Sequence, residues 1–246
     1  MKNMTAKLLE LKSLIKKFGG IFAVYDLSFH VDEGESLGLI GPNGSGKTTT
    51  FNLIMSELKQ DEGEIYFRGK EISRYPTHER VKIGISRTYQ IPRPFNDMTV
   101  TKNIRIGVMP DDILRVMNMN SASKKEIEIG KSVGFKEHHL QAHPNELSMG
   151  DLRRLELART IATGPKLLLL DEVFAGLTAG EIAELSELLK EKKKEGLTYI
   201  IVSHDLKSLA PLVDRVVVVS FGQLIAEGSF EEVIADEKVK EAYLGK

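Results

Sequence analysis

The chain has 246 residues, 41% hydrophobic and 28% charged, with a formal net charge of -1. This is an ordinary globular profile with no basic field to attract nucleic acid. It contains no cysteine, which excludes disulfides, thiolate metal sites and cysteine nucleophiles. No run approaches the ~18 apolar residues of a membrane span. The first stretch is broken by Glu10 and Lys12, so it lacks the apolar centre of a signal peptide. The expectation is a cytoplasmic protein whose membrane role, if it has one, passes through a partner.

In chain order, residues 7–18 read two ways. Leu9, Leu11 and Ile15 suit a strand, whereas Leu8, Leu11, Ile15 and Phe18 suit a helix. Gly19-Gly20 ends either one. A strand is expected over Tyr25–Val31 and another over Ser36–Ile40. "DEGEIYFRGKEI" reads as a hairpin with turns at Asp61–Gly63 and Arg68-Gly69. "VKIGISRTYQ" reads as a strand ending near Gln90. From Ile91 a Pro-punctuated crossing leads into a helical pattern up to about Asn145, with caps at Thr99 and Ser123.

A helix opens at "LSMGD". Ser148 suits the N-cap and Asp151 completes a capping-box pattern. Gly150 sits in the first turn, where Gly costs about 1 kcal/mol relative to Ala. A helix N-terminus attracts anions, and glycine there admits close approach. The strand "KLLLL", a helix over about 179–194, and the strands "LTYIIVS" and "RVVVVSF" follow, then two short helices. Lys192-Lys193-Lys194, flanked by Glu191 and Glu195, reads as a solvated helix end. Uninterrupted apolar strands belong to parallel sheets covered on both faces. The reading is an α/β core with a helical insert at about 91–147.

"GPNGSGKTT", Gly41 to Thr49, matches the phosphate-binding loop between a strand and a helix. The backbone N–H groups of its loop (Gly41, Pro42, Asn43, Gly44, Ser45, Gly46, of which Pro42 shapes the turn and donates none) would surround phosphates. Lys47 would reach the β- and γ-phosphates, and Thr48, beside Thr49, would ligate Mg²⁺. Gln90, Asp171-Glu172 and Ser203-His204 each follow an apolar run. In open α/β sheets such positions gather at the rim where ligands bind.

"GPNGSGKTT", Gln90, "LSMGD", "LLLLDE" and "SHD", in this order and over nearly the whole chain, resemble the ATP-binding cassette ATPases. The resemblance implies a P-loop NTPase core (about 1–90 and 148–246), a helical subdomain (about 91–147) and an antiparallel β subdomain within one domain. It favours a strand for residues 7–18, with Phe18 placed to stack on adenine. It implies ATP and Mg²⁺ as cofactors, Asp171 and Thr48 as metal residues, and Glu172 as general base. Gln90 would sense metal and water, and His204 would contact the γ-phosphate. Two ATPase domains, identical or paralogous, would face head to tail, with Ser148, Met149, Gly150 and Asp151 capping the partner's ATP. On this reading Gly150 is there because that ATP approaches.

The chain departs from the commonest family form. Met149 stands where Gly is usual, Asp151 where Gln is usual, and Thr178 where many members carry Asp. "SRTYQIPRPFNDMTVTKNI" and "KVKEAYLGK" resemble the ATP-binding subunit of branched-chain amino acid importers. The expected partners are transmembrane permease subunits and, indirectly, an extracytoplasmic substrate-binding protein, with no nucleic acid. The chain would then sit on the inner face of the cell membrane. The alternatives are an ATPase of the lipopolysaccharide-exporter type or a soluble iron–sulfur cluster assembly ATPase. A permease would dock near Pro92, Pro94 and Phe95, where Met98, Met109, Met117 and Met119 offer an adaptable surface or fill the core.

Overall fold

The computed structural model describes residues 6–109 and 124–244. Met117, Met119, the cap at Ser123 and the end of "KVKEAYLGK" lie outside the described residues. Two sheets organise the chain. The antiparallel sheet has the order β2-β1-β4-β5, formed by β1 (Lys7–Phe18), β2 (Ile21–Asp32), β4 (Glu62–Phe67) and β5 (Lys70–Glu71). The ambiguous first stretch is therefore a strand. Leu9 and Leu11 are buried, but so is Leu8, and an irregularity at Ser13 (φ 45°) puts Leu14 inside in place of the expected Ile15.

The second sheet has the order β10-β9-β3-β8-β7-β6. Its strands are β3 (Ser36–Ile40), β6 (Ile85–Arg87), β7 (Leu167–Asp171), β8 (Thr198–Val202), β9 (Arg215–Ser220) and β10 (Gln223–Gly228). Neighbouring strands from β9 to β6 are parallel, and β10 is antiparallel to β9. Both faces are covered, which explains the continuous apolar strands. Leu168, Leu170, Tyr199, Ile201, Val216 and Val218 pack with Leu155, Leu157, Leu185 and Leu189 of α6 (Met149–Ala162) and α7 (Ala179–Lys194). Leu167, Leu169, Ile200, Val202, Val217 and Val219 face the other way, onto Phe51 and Leu53 of α1 (Lys47–Ile54) and onto the antiparallel sheet.

Several local expectations change. Val81 and Lys82 belong to α2 (Thr77–Lys82), so β6 is only three residues long and ends at Arg87, short of Gln90. The reason is tertiary. Arg80 is fully buried and its guanidinium binds the carbonyls of Leu53 and Ile54 at the end of α1, and those of Ile72 and Ser73. That contact fixes residues 77–82 as a helix against the core. Glu62 and Gly63 lie in β4 and are not a turn, because β1 pairs along that edge. Arg68 and Gly69, with φ of 51° and 74°, do form the hairpin turn. β10 was not anticipated.

The region after Gln90 carries α3 (Val100–Val108), α4 (Lys124–Ser132) and α5 (Glu137–Gln141), with α3 packed on α6. Thr99 caps α3 through the Lys102 amide. Asn103 holds the preceding crossing by accepting from the Phe95 amide and donating to the Phe95 and Met98 carbonyls. Phe95, Met98 and Met109 are exposed, so neither methionine fills the core. Among the described residues no helix is long and apolar enough to cross a membrane.

Candidate functional site

The parallel strands end on one rim, and four segments leave it side by side. β3 runs into Gly41–Thr49, β6 leads to Gln90, β7 to Glu172 and β8 to Ser203-His204. Asn43, Gly44, Ser45, Gly46, Lys47, Thr48, Thr49, Gln90, Glu172 and His204 line one cleft, with Ala23 of β2 at its edge. Gln90 reaches the rim although its strand stops three residues earlier. The loop's shape depends on glycine at Gly46, where φ is 105° and a Cβ would lie 2.3 Å from the Ala23 carbonyl oxygen. The antiparallel sheet thus presses directly on the phosphate loop.

Lys47 opens α1 and is almost buried. Its ammonium donates to the Gly41 and Pro42 carbonyls at 2.8 and 3.0 Å. Burial pushes its pKa down, and Glu172 and Asp171 oppose that shift by charge. A cation so placed is matched to a polyanion.

Glu172 has φ of 49°, a left-handed conformation rare for a residue with a side chain. Strain of this kind gathers at functional sites. Its Oε2 accepts from the His204 amide at 3.3 Å. His204 Nε2 lies 3.1 Å from Oε1 but without hydrogen-bond alignment, which leaves that buried oxygen without a hydrogen-bond partner. Burial pushes the Glu172 carboxyl above its usual range, against the charge of His204. An unsatisfied, basic carboxylate oxygen facing a phosphate loop is suited to hold a water.

Asp171 does not line the cleft. It is buried and paired with Arg87 at 2.6 Å, and Arg87 also binds Asn52 and Glu57. Among the described residues no cluster of three or more His, Cys, Asp or Glu could hold a metal. The oxygen donors of Thr48 and Gln90 in the cleft still fit Mg²⁺. That ion takes one or two protein oxygens and completes its shell with water and phosphate.

Phe18 stands at the end of β1, 49% exposed, with Lys16 Nζ 5.6 Å from its ring centroid. It is not a core residue, and it does not line the cleft. Exposed Phe22 and Tyr25 form an edge-on pair on the same hairpin, 4.6 Å between ring centroids. Sequence reasoning overlooked them.

Ser148 caps α6 by accepting from the Asp151 amide at 3.1 Å. The reciprocal half of the capping box is replaced: the Asp151 carboxylate accepts from the Ser148 hydroxyl at 3.0 Å and pairs with Arg154. Met149 is exposed. The Gly150 amide donates to Glu181 Oε1 at 3.0 Å, and a Cβ on Gly150 would lie 2.5 Å from that oxygen. In this chain the space beside Gly150 is taken by the flexible Glu181 side chain. Thr178 is the N-cap of α7 and forms a full capping box with Glu181, a job that Asp would also do. The "TAGE" spacing was the one signal that could have exposed Glu181.

The helix opened by Ser148 also holds the Gln90 segment. Arg153 donates to the carbonyls of Tyr89 and Gln90, and Glu156 accepts from the Tyr89 amide at 2.6 Å.

Comparison with known proteins agrees with this arrangement. Residues 24–175 match the family described as ABC transporter, and residues 223–246 match Branched-chain amino acid ATP-binding cassette transporter. A probable branched-chain amino acid transport ATP-binding protein LivG of Methanocaldococcus jannaschii is 34% identical, over 98% of this chain and 99% of that protein. The lipopolysaccharide export system ATP-binding protein LptB of Escherichia coli is also 34% identical, over 96% of each. The ADP conformation of an ATP-binding cassette superposes with a TM-score of 0.86 at 31% identity, covering 98% of this chain and 100% of that one. A dimeric post-hydrolysis cassette bound to ADP and Pi gives 0.75 at 26% identity, covering 90% and 98%. This chain belongs to the ABC transporter family, as the ATP-hydrolysing cassette.

Proposed function

We propose that the cassette drives import of branched-chain or related amino acids through a membrane permease at the inner face of the cell membrane. The observation that carries this reading is the C-terminal match at residues 223–246. The LivG relative supports it over nearly its full length. A lipopolysaccharide-export motor is the second reading, favoured by the equal identity to LptB. The family and relatives are transport proteins, so the iron–sulfur assembly reading has no comparable support.

In this mechanism the Gly41–Thr49 amides and Lys47 bind the ATP phosphates, and Phe18 stacks on adenine. Thr48 and Gln90 would hold Mg²⁺, with Asp171 acting through water. The ion would neutralise phosphate charge when bound. Glu172 Oε1 accepts a proton from the attacking water, and His204 contacts the γ-phosphate beside it. Ser148, Met149, Gly150 and Asp151 cap the nucleotide of a second cassette. Hydrolysis then needs two chains, and the Arg153 contact carries the state of Gln90 to the capping helix. Pro92, Pro94 and exposed Phe95, Met98 and Met109 form the face toward the permease.

The test is purification from native membranes with identification of every chain that accompanies the cassette. Permease subunits whose reconstituted vesicles take up leucine, isoleucine or valine with ATP support the import reading. Accumulation of lipopolysaccharide on depletion supports the second. Tight binding of these amino acids by the purified cassette alone contradicts the division of roles, because the family places substrate choice in other subunits.

A further inference from the structure

We infer that Glu181 is a built-in competitor for the phosphate that the Ser148–Gly150 turn receives, so that pairing of two cassettes requires this carboxylate to let go. The inference rests on the reading of that turn as the cap on a partner's nucleotide.

Glu181 joins two helix starts with one carboxylate. Oε2 accepts from the Thr178 amide and hydroxyl, both at 2.9 Å, and so completes the cap of α7. Oε1 accepts from the Gly150 amide at 3.0 Å and lies 3.4 Å from the Ser148 hydroxyl, which is also within donating distance of Asp151 at 3.0 Å. That amide and that hydroxyl are also donors an incoming phosphate would use. One N–H cannot serve two strong acceptors at full strength, so the two anions exclude each other. Space gives the same answer. A Cβ on Gly150 would lie 2.5–2.8 Å from Oε1, Cδ and Cγ of Glu181, so the glutamate side chain lies across the open face of the turn. A phosphate oxygen bonding the Gly150 amide must occupy that volume.

Charge adds to the exclusion. Asp151 and Glu184 share the single Arg154 beside the turn, which already leaves the entrance net negative, and Glu181 adds a further negative charge. A phosphate arriving from a second chain must displace Glu181, not simply bind beside it. The displacement is local. Because Cγ and Cδ as well as Oε1 lie across the turn, Glu181 must swing out and give up its Oε2 bonds to Thr178, while the Thr178 hydroxyl still accepts from the Glu181 amide and keeps α7 capped. The contact therefore sets a threshold: only a nucleotide already anchored by a partner's phosphate loop brings enough negative charge to take the turn.

The test uses the full chain in a Glu172→Gln background, which traps ATP. Glu181→Gln keeps the α7 capping box, since glutamine serves at that position, but removes the charge. Dimer formation is followed by analytical ultracentrifugation over an ATP titration, with the chain alone and with any candidate paralogue. Calorimetry of ATP binding and a melting curve check the phosphate loop and the fold. Release of the competitor should lower the ATP concentration at half-dimerisation by about two- to fivefold per site, the usual strength of an anion at a helix start. Pairing by the double variant alone also supports the competitor. Unchanged or weaker pairing in the double variant, with robust pairing of Glu172→Gln, overturns the competitor and leaves the cap reading standing. If neither variant pairs in any mixture, the cap reading itself fails and the competitor falls with it.

Discussion

Arg153, on the helix that opens at Ser148, donates to the backbone carbonyl of Gln90. The two residues are far apart in sequence, and each belongs to a different part of the site. The same guanidinium binds the Tyr89 carbonyl and Glu156, so one buried cation holds the rim segment against the capping helix. Arg153→Leu should cost about 3–5 kcal/mol, because it strands the buried Glu156 carboxylate. Burial already pushes the Glu156 carboxyl up, with Arg153 charge opposing it. Adding Glu156→Gln should recover part of that loss. Urea unfolding of the three chains checks this, and equal midpoints for Arg153→Leu and the parent would refute it.

Lys47→Ala should abolish tight nucleotide binding with the fold intact. The ammonium is the charge inside the loop, and its stem sits at the first position of a helix capped by a glycine. Calorimetry with ATP and Mg²⁺ measures the affinity. Parental affinity in the variant would mean that this loop is not the site.

The pH dependence of hydrolysis follows from Glu172. A base must be deprotonated, and burial raises its folded pKa above 4.5. Activity should therefore fall as pH drops through a value above 4.5, not below it. The positive charge of His204 holds that value down. His204→Gln should move the acid limb to higher pH as well as lowering the rate. The pH–rate profile of the assembled transporter is the measurement. An acid limb at or below 4.5, or one that His204→Gln shifts downward, would contradict the assignment of Glu172.

Glu172→Gln should lower turnover by roughly 10²–10⁴-fold, the usual worth of a positioned general base. Trapped ATP should then favour the closed pair by linkage. Adding Ser148→Arg to that chain should block closure while the Gly41–Thr49 loop still binds nucleotide. Size-exclusion chromatography with and without ATP, alone and with a paralogue, separates the outcomes. Equal dimerisation by both variants would reduce the Ser148 helix to an ordinary capped helix.

What the sequence alone determined is local in character. The phosphate loop, the N-caps at Ser148 and Thr99, and the strands Ser36–Ile40 and Leu167–Asp171 are legible because a contiguous stretch carries its own pattern of period, cap and turn. Their chain order was enough to resemble a family, and the comparisons support that family. Tertiary structure decided the rest. Residues 81–82 are helical because buried Arg80 ties their segment to α1, a contact no window of sequence contains. Gln90 is placed by Arg153, not by a strand running up to it. Asp171 pairs with Arg87, since β6 and β7 lie side by side in the sheet, while its charge still bears on Lys47. Gly150 faces Glu181 because the packing of α7 brings that side chain onto the turn. Each is a bond between residues distant in the chain, and only the order of strands and the packing of helices on them decides which distant groups meet.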